Sequence, residues 1–175
     1  MNELQVVGVR VEMPANQPIV LLKEASGTRY LPIWIGAVEA SAIAFQQQGV
    51  SAARPLTHDL LRDVLSALGA TLESVRITEL RDGVFFAELV FAGGTTVSAR
   101  PSDAIALALR AGATIYGAEA VLAEAGVPMP DGQDEGPPEE PVDSAEQETQ
   151  VEQFREFLDS ISPDDFANGS PGEGV

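Results

Sequence analysis

The stretch Arg100-Pro101-Ser102-Asp103-Ala104-Ile105-Ala106-Leu107-Ala108-Leu109-Arg110-Ala111-Gly112 decides the fold. It predicts a helix that starts at Ser102, whose hydroxyl suits the free N–H groups of a first turn. Asp103 then stands at the positive end of the helix dipole, and Gly112 supplies a left-handed stop. At about 100° per residue, Ile105, Leu107 and Leu109 do not share one narrow stripe, and alanines fill most of the remainder. Only Asp103, Ala106 and Arg110 form a strip expected to meet water. A helix apolar on nearly every side lies inside its domain, so this is the expected core element.

The same order of residues occurs earlier. Arg54-Pro55-Leu56-Thr57-His58-Asp59 leads into Leu60-Leu61-Arg62-Asp63-Val64-Leu65-Ser66-Ala67-Leu68 and stops at Gly69-Ala70. It predicts a second helix with Thr57 as the hydroxyl cap, Asp59 in the first turn and a leucine face with His58 at its edge.

Outward from these helices the period changes to two. Val7, Val9, Val11 and Met13 alternate with Gly8, Arg10 and Glu12, which predicts a strand with the valines buried. Ile19 to Lys23 and Arg29 to Ile35 flank Ala25-Ser26-Gly27 as a hairpin. Pro32 in its second strand marks an edge or a bulge. Gly36 to Gln48 predicts a helix with Val38, Ala42, Ile43 and Phe45 inward. Leu72 to Leu80, Val84 to Phe91 and Thr95 to Ala99 predict three more strands, with Arg81-Asp82-Gly83 as the first turn. Ile115-Tyr116 reads as a short strand and Ala118 to Ala125 as a last small helix. Three strands followed by an alanine-rich helix thus occur twice, so the expected fold is α+β: a mixed sheet with packed helices and an internally repeated βββα unit.

At 175 residues the chain fits one domain over residues 1–128 with a sizeable core. It has no cysteine, which removes disulfides, thiolate metal sites and a cysteine nucleophile. The first residues lack the basic and apolar regions of a signal peptide, and no window approaches the roughly 20 apolar residues of a membrane span. A soluble cytoplasmic protein without membrane contact is expected. The charge is uneven: residues 1–130 hold 9 Lys+Arg and 13 Asp+Glu, a net of −4, whereas residues 131–175 hold one Arg and 14 acids, a net of −13. Residues 129–145, rich in Pro and Glu, predict a disordered acidic linker. Residues 146–162 predict an amphipathic helix with Val151, Phe154, Phe157, Leu158 and Ile161 on one face, suited to docking on a protein partner. Residues 163–175 form an expected flexible C-terminus.

Leu31-Pro32-Ile33-Trp34-Ile35-Gly36, Glu39-Ala40, Arg54-Pro55-Leu56-Thr57-His58-Asp59-Leu60-Leu61 and Ala99-Arg100-Pro101-Ser102-Asp103-Ala104-Ile105-Ala106-Leu107-Ala108 together resemble the bifunctional nuclease domain, over about residues 1–128. The resemblance implies a compact α+β domain, self-association into a homo-oligomer, and DNase and RNase activity. Ser98 stands where members of that family often carry an acid.

Phosphodiester hydrolysis needs an activated water and groups that hold charge developing on the phosphate. Glu39, Asp59 and Asp103, each in a predicted first turn, are the candidate metal ligands for Mg or Mn, and equally they complement helix dipoles. His58 is the single histidine of the chain and, with Asp59 and Asp103, the candidate for general base work. The alternative is a boundary histidine bonded to a backbone carbonyl. Arg54 and Arg100 precede helix starts and are candidate phosphate ligands, or else each ties its loop to a nearby acid.

One lysine in the whole chain predicts weak binding to single-stranded DNA or RNA. The acidic residues 131–175 are expected to weaken it further by screening Arg54, Arg62, Arg100 and Arg110. Two functions therefore stand side by side. One is a metal-dependent nuclease, and the other is a non-catalytic assembly module acting through protein contacts.

Overall fold

The computed structural model describes residues 1–12 and 14–128. Of the sequence expectations, those on Met13, on the linker 129–145, on the tail helix 146–162 and on residues 163–175 lie outside the described residues. Every described residue belongs to the first of two units, Met1–Pro130, the second being Asp131–Val175.

Eight strands and four helices follow in the order β1 Asn2–Glu12, β2 Gln17–Glu24, β3 Arg29–Trp34, α1 Ala37–Gln47, α2 Thr57–Ala67, β4 Leu72–Arg81, β5 Val84–Phe91, β6 Thr96–Ala99, α3 Pro101–Ala111, β7 Thr114–Gly117, α4 Glu119–Ala125 and β8 Val127–Pro128. They build one sheet in the order β6-β5-β4-β7-β1-β2-β3-β8. β1, β2 and β3 form an antiparallel meander, as do β4, β5 and β6. Between them, β7 runs antiparallel to β1 and parallel to β4, which makes the sheet mixed. Each meander hands the chain to a helix nearby, α1 after the first and α3 directly after the second. The fold is α+β, and the βββα order read twice in the sequence is present twice.

Period-two positions fill the core: Leu4, Val20, Leu22, Leu31, Ile33, Val75, Ile77, Leu89 and Ile115 form one cluster with Ile43 of α1, Ala104 to Ala108 of α3, and Val121 and Leu122 of α4. Asp82 and Gly83 both adopt positive φ between β4 and β5, the requirement of a tight hairpin turn whose twist matches its strands. Pro32 pairs with Leu21 of β2, while β8 reaches only Arg29 and Tyr30 on the other side. The missing N–H of Pro32 thus falls on an open edge.

Several local expectations are corrected. The buried face of β1 is set by Leu4 and Val6, and a bulge between Val6 and Gly8 shifts the register, leaving Val7 and Val11 exposed. α1 buries Ala40, Ala42 and Ile43, whereas Val38 and Phe45 point outward. α3 starts one residue early: Arg100 is the N-cap, Pro101 takes the first helical position where its missing N–H costs nothing, and Ser102 makes no cap bond. α2 likewise has Leu56 rather than Thr57 as N-cap, and the Asp59 carboxylate accepts the Leu56 N–H at 3.0 Å.

Candidate functional site

Three helix starts meet around one arginine. The chain leaves β6 at Ala99 and turns into α3 at Arg100. This places the guanidinium so that Nε donates to Asp103 Oδ2 at 2.7 Å and Nη2 to Glu39 Oε1 of α1 at 2.7 Å. Gly36, the N-cap of α1, lies against the Glu39 carboxylate. The other oxygen of Asp103 faces His58 Nε2 of α2 at 3.2 Å. Glu39, Arg100, Asp103 and His58 therefore form one connected polar chain across α1, α3 and α2.

Burial pushes the Asp103 carboxyl up, but the hydrogen bonds and charges of Arg100 and His58 outweigh it and hold the group below its ordinary value. At neutral pH Asp103 is thus an acceptor only, so His58 Nε2 must carry the proton that it shares. The lone pair of a neutral imidazole then sits on Nδ1. The histidine is a buried side chain with a carboxylate partner, not one bonded to a backbone carbonyl.

Asp59 is drawn elsewhere. Arg110, with 2% of its side chain exposed, donates Nε to Asp59 Oδ1 at 2.6 Å, Nη1 to the Ala106 carbonyl at 2.9 Å and Nη2 to the Ala42 carbonyl at 3.0 Å. The Arg110 hydrogen bond, seconded by the Leu56 N–H, lowers the Asp59 pKa. One buried guanidinium thus ties α1, α2 and α3 together. The Asp103–Ala106–Arg110 strip meets α2 rather than water, and Arg110 is unavailable for screening by acidic residues. Arg62 pairs with its neighbour Asp63.

α2 uses its faces unequally. Its polar residues His58 and Asp59 face the body. Its leucine face is exposed, with Leu60 56% and Leu68 77% accessible and Leu56, Leu61 and Val64 open beside them.

Beside Arg100 lies a cleft of about 400 Å³, lined among others by Gln17, Trp34, Gly36, Phe85, Arg100 and Ser102. Of the sequence candidates, Glu39, Arg100, Asp103 and His58 come together, Asp59 turns to Arg110, and Arg54 is exposed with no side-chain partner among the described residues. Ser98 is exposed on β6. No group of three His, Cys, Asp or Glu side chains among the described residues is arranged to hold a metal ion. Glu39 and Asp103 each spend an oxygen on Arg100 instead. Sequence reasoning missed Trp34 and Phe85. The signal for Trp34 was a lone tryptophan ending a strand two residues before Gly36. The signal for Arg110 was its place on the Asp103 strip.

A second network is structural. Arg29 of β3 donates to Glu24 of β2 at 2.9 Å and to Glu119 of α4 at 2.8 Å, with Asn2 also on Glu119. The hydrogen bonds from Arg29 and Asn2 hold the Glu119 carboxyl down at about 2, and that from Arg29 lowers Glu24. No helix among the described residues is long and apolar enough to cross a membrane.

Two uncharacterized proteins from strains of Mycobacterium tuberculosis are each 58% identical to this chain over 166 residues, which is 95% of this chain and 98% of theirs. Residues 20–130 match the family model of the bifunctional nuclease domain. That span holds α1, α2 and α3 with His58, Arg100 and Asp103, and the chain belongs to the bifunctional nuclease domain family.

Proposed function

We propose that the domain hydrolyses phosphodiester bonds of single-stranded DNA or RNA where the three helix starts meet. The observation that supports this reading is the His58–Asp103–Arg100 chain, whose Arg100 end also lines an open cleft. Asp103 fixes the tautomer of His58 and leaves Nδ1 to accept a proton from the attacking water. Arg100 spends Nε and Nη2 on carboxylates, which leaves Nη1 to donate to a phosphate oxygen as charge develops there. No step is assigned to Mg²⁺ or Mn²⁺, because Glu39 and Asp103 already face a guanidinium that a cation would have to displace. Binding is weak on this reading, since two carboxylates offset the charge of Arg100.

The test is hydrolysis of labelled single-stranded DNA and RNA, with and without Mg²⁺ or Mn²⁺, by the wild type, His58→Ala and Asp103→Asn. Loss of a general base costs about 10²–10⁴-fold in rate. Unchanged rates in both variants overturn the site.

A second reading rests on a different observation, the exposed leucine face of α2. On this reading the domain is a non-catalytic module that pairs two copies through Leu60, Leu61, Val64 and Leu68. Sedimentation of the wild type against Leu60→Ser with Val64→Ser decides it. A smaller particle for the double variant supports the reading, and equal masses overturn it.

A further inference from the structure

We propose that Trp34 is a stacking platform for an unpaired nucleobase, so that the site admits single-stranded nucleic acid and rejects the duplex. The proposal rests on the nuclease reading and supplies its substrate selectivity. Trp34 ends β3 at the mouth of the cleft and is 54% exposed. An exposed tryptophan gives up roughly 2–3 kcal/mol of burial, yet this one is held in place. Its indole Nε1 donates to Glu12 Oε2 of β1 at 3.0 Å, its backbone pairs with Ile19 of β2, and the next residue, Ile35, donates its N–H to the Pro18 carbonyl at 2.9 Å. The ring is therefore oriented before any ligand arrives.

The same hydrogen bond defines what the ring recognises. With Nε1 already engaged, Trp34 presents a face and no free donor. A face stacks on any base, but only on one whose own faces are not covered by neighbours in a duplex. Phe85, half-buried in the hairpin after the Asp82-Gly83 turn, lines the same cleft, and Gln17 adds an amide able to donate or accept at a base edge. Arg100 lies in the same lining, so a base on Trp34 brings its own phosphate toward the guanidinium. The cleft volume of about 400 Å³ falls within the roughly 300–1,000 Å³ of small-ligand sites.

Electrostatics decides which contact dominates. Glu39 and Asp103 both pair with Arg100 and Glu12 sits on the Trp34 indole, so attraction of a phosphate backbone is weak here. Stacking must then supply most of the binding. Its contribution is only weakly salt-dependent, unlike that of phosphate contacts.

Trp34 is the single tryptophan of the chain, so intrinsic fluorescence reports on it directly. Titration of the full chain with a short oligothymidylate is expected to quench that emission saturably, and the same length of duplex is expected to leave it unchanged. By anisotropy of a labelled oligothymidylate, Trp34→Ala is expected to lose roughly 5- to 100-fold in affinity, a loss similar at low and high salt, while Trp34→Phe stays within about 5-fold of wild type. A wild-type unfolding temperature for each variant is the control for folding. Equal affinity of wild type and Trp34→Ala overturns the proposal, as does a wild type that quenches equally with duplex. Trp34-dependent binding without hydrolysis leaves the platform standing and removes the nuclease reading. Hydrolysis with an unchanged KM in Trp34→Ala removes the platform and leaves the nuclease.

Discussion

α2 and α3 each come shortly after an Arg in an Arg-Pro pair, carry an acid in the first turn and run for 11 residues, yet they are used in opposite ways. α3 buries every residue from Ala104 to Ala108 between the sheet and the other helices. α2 fully buries His58 alone, half-buries Leu65 against the core and turns Leu60, Leu61 and Val64 outward. Leaving a leucine half exposed forgoes about 1 kcal/mol. Leaving the guanidinium of Arg110 unpaired in the interior costs several kcal/mol. Summed over the open side chains of α2 the two costs are of similar size, and the orientation adopted is the one that pairs the ions: Asp103 and Arg110 on α3 find partners in His58 and Asp59. An apolar stripe says that a helix has a face. It does not say which surface that face meets.

The contrast predicts a graded series. Leu107→Ala removes a fully buried side chain of α3 and is expected to cost about 2–5 kcal/mol by denaturant unfolding. A cost below about 0.5 kcal/mol, normal for a surface site, would erase the distinction between the helices.

Asp59→Ala comes next, because it strands Arg110 but leaves a cavity open toward solvent. The expected cost is about 1–3 kcal/mol, largely recovered when Arg110→Met is added. No recovery in the double variant would show that Asp59 contributes through something other than its charge.

Acid should separate the helices without mutation. Asp59 and Asp103 have pKa values below their ordinary range, so their stabilisation is complete above about pH 4–5 and is lost as pH falls through the lowered values. Since these ion pairs hold α2 to α3, the amides of α2 are expected to lose hydrogen-exchange protection at low pH before those of α3. Simultaneous loss would mean that α2 is held mainly by something else. Glu24 and Glu119 act in the same direction on the other network, with Glu119 titrating near 2.

The smallest effect is expected at the exposed end of the comparison. Leu60→Ser in a dilute sample should change unfolding free energy by no more than about 0.5 kcal/mol. A larger loss at low protein concentration would show that the leucine face is covered within one chain.

The sequence reveals what is local. The hairpin at Arg81-Asp82-Gly83, the left-handed stop at Gly112 and the repeated βββα order are legible because turn chemistry and a period of two act over a few residues. The burial of α3 is legible too, since alanine on every side admits few other readings. The outward turn of α2 is not, because it depends on Arg110, 51 positions from its partner Asp59. The bulge at Val7 is equally silent in the alternation that it breaks. In the site, Glu39, Arg100 and Asp103 are candidates from their helix starts, and His58 as the single histidine of the chain. Their junction through one guanidinium, and the removal of Asp59 to a different one, require the packing of three helices. Trp34 stayed hidden because a tryptophan in a strand is ordinarily core.

The placement of β7 has a consequence for how the chain is made. Asn2 pairs with Gly117, so the first strand of the sheet finds this neighbour only after nearly all of the domain exists. Both meanders can form early, each from contacts close in sequence. Until Thr114–Gly117 has left the ribosome, however, β1 and β4 each present an open edge toward the other with nothing between them. Such edges invite pairing with other chains, and non-local strand closure is slow because chain entropy is lost before any contact repays it. Four residues near the end of the domain thus convert two separable halves into one cooperative sheet, and the interval before they emerge is when the nascent chain is most open to mispairing.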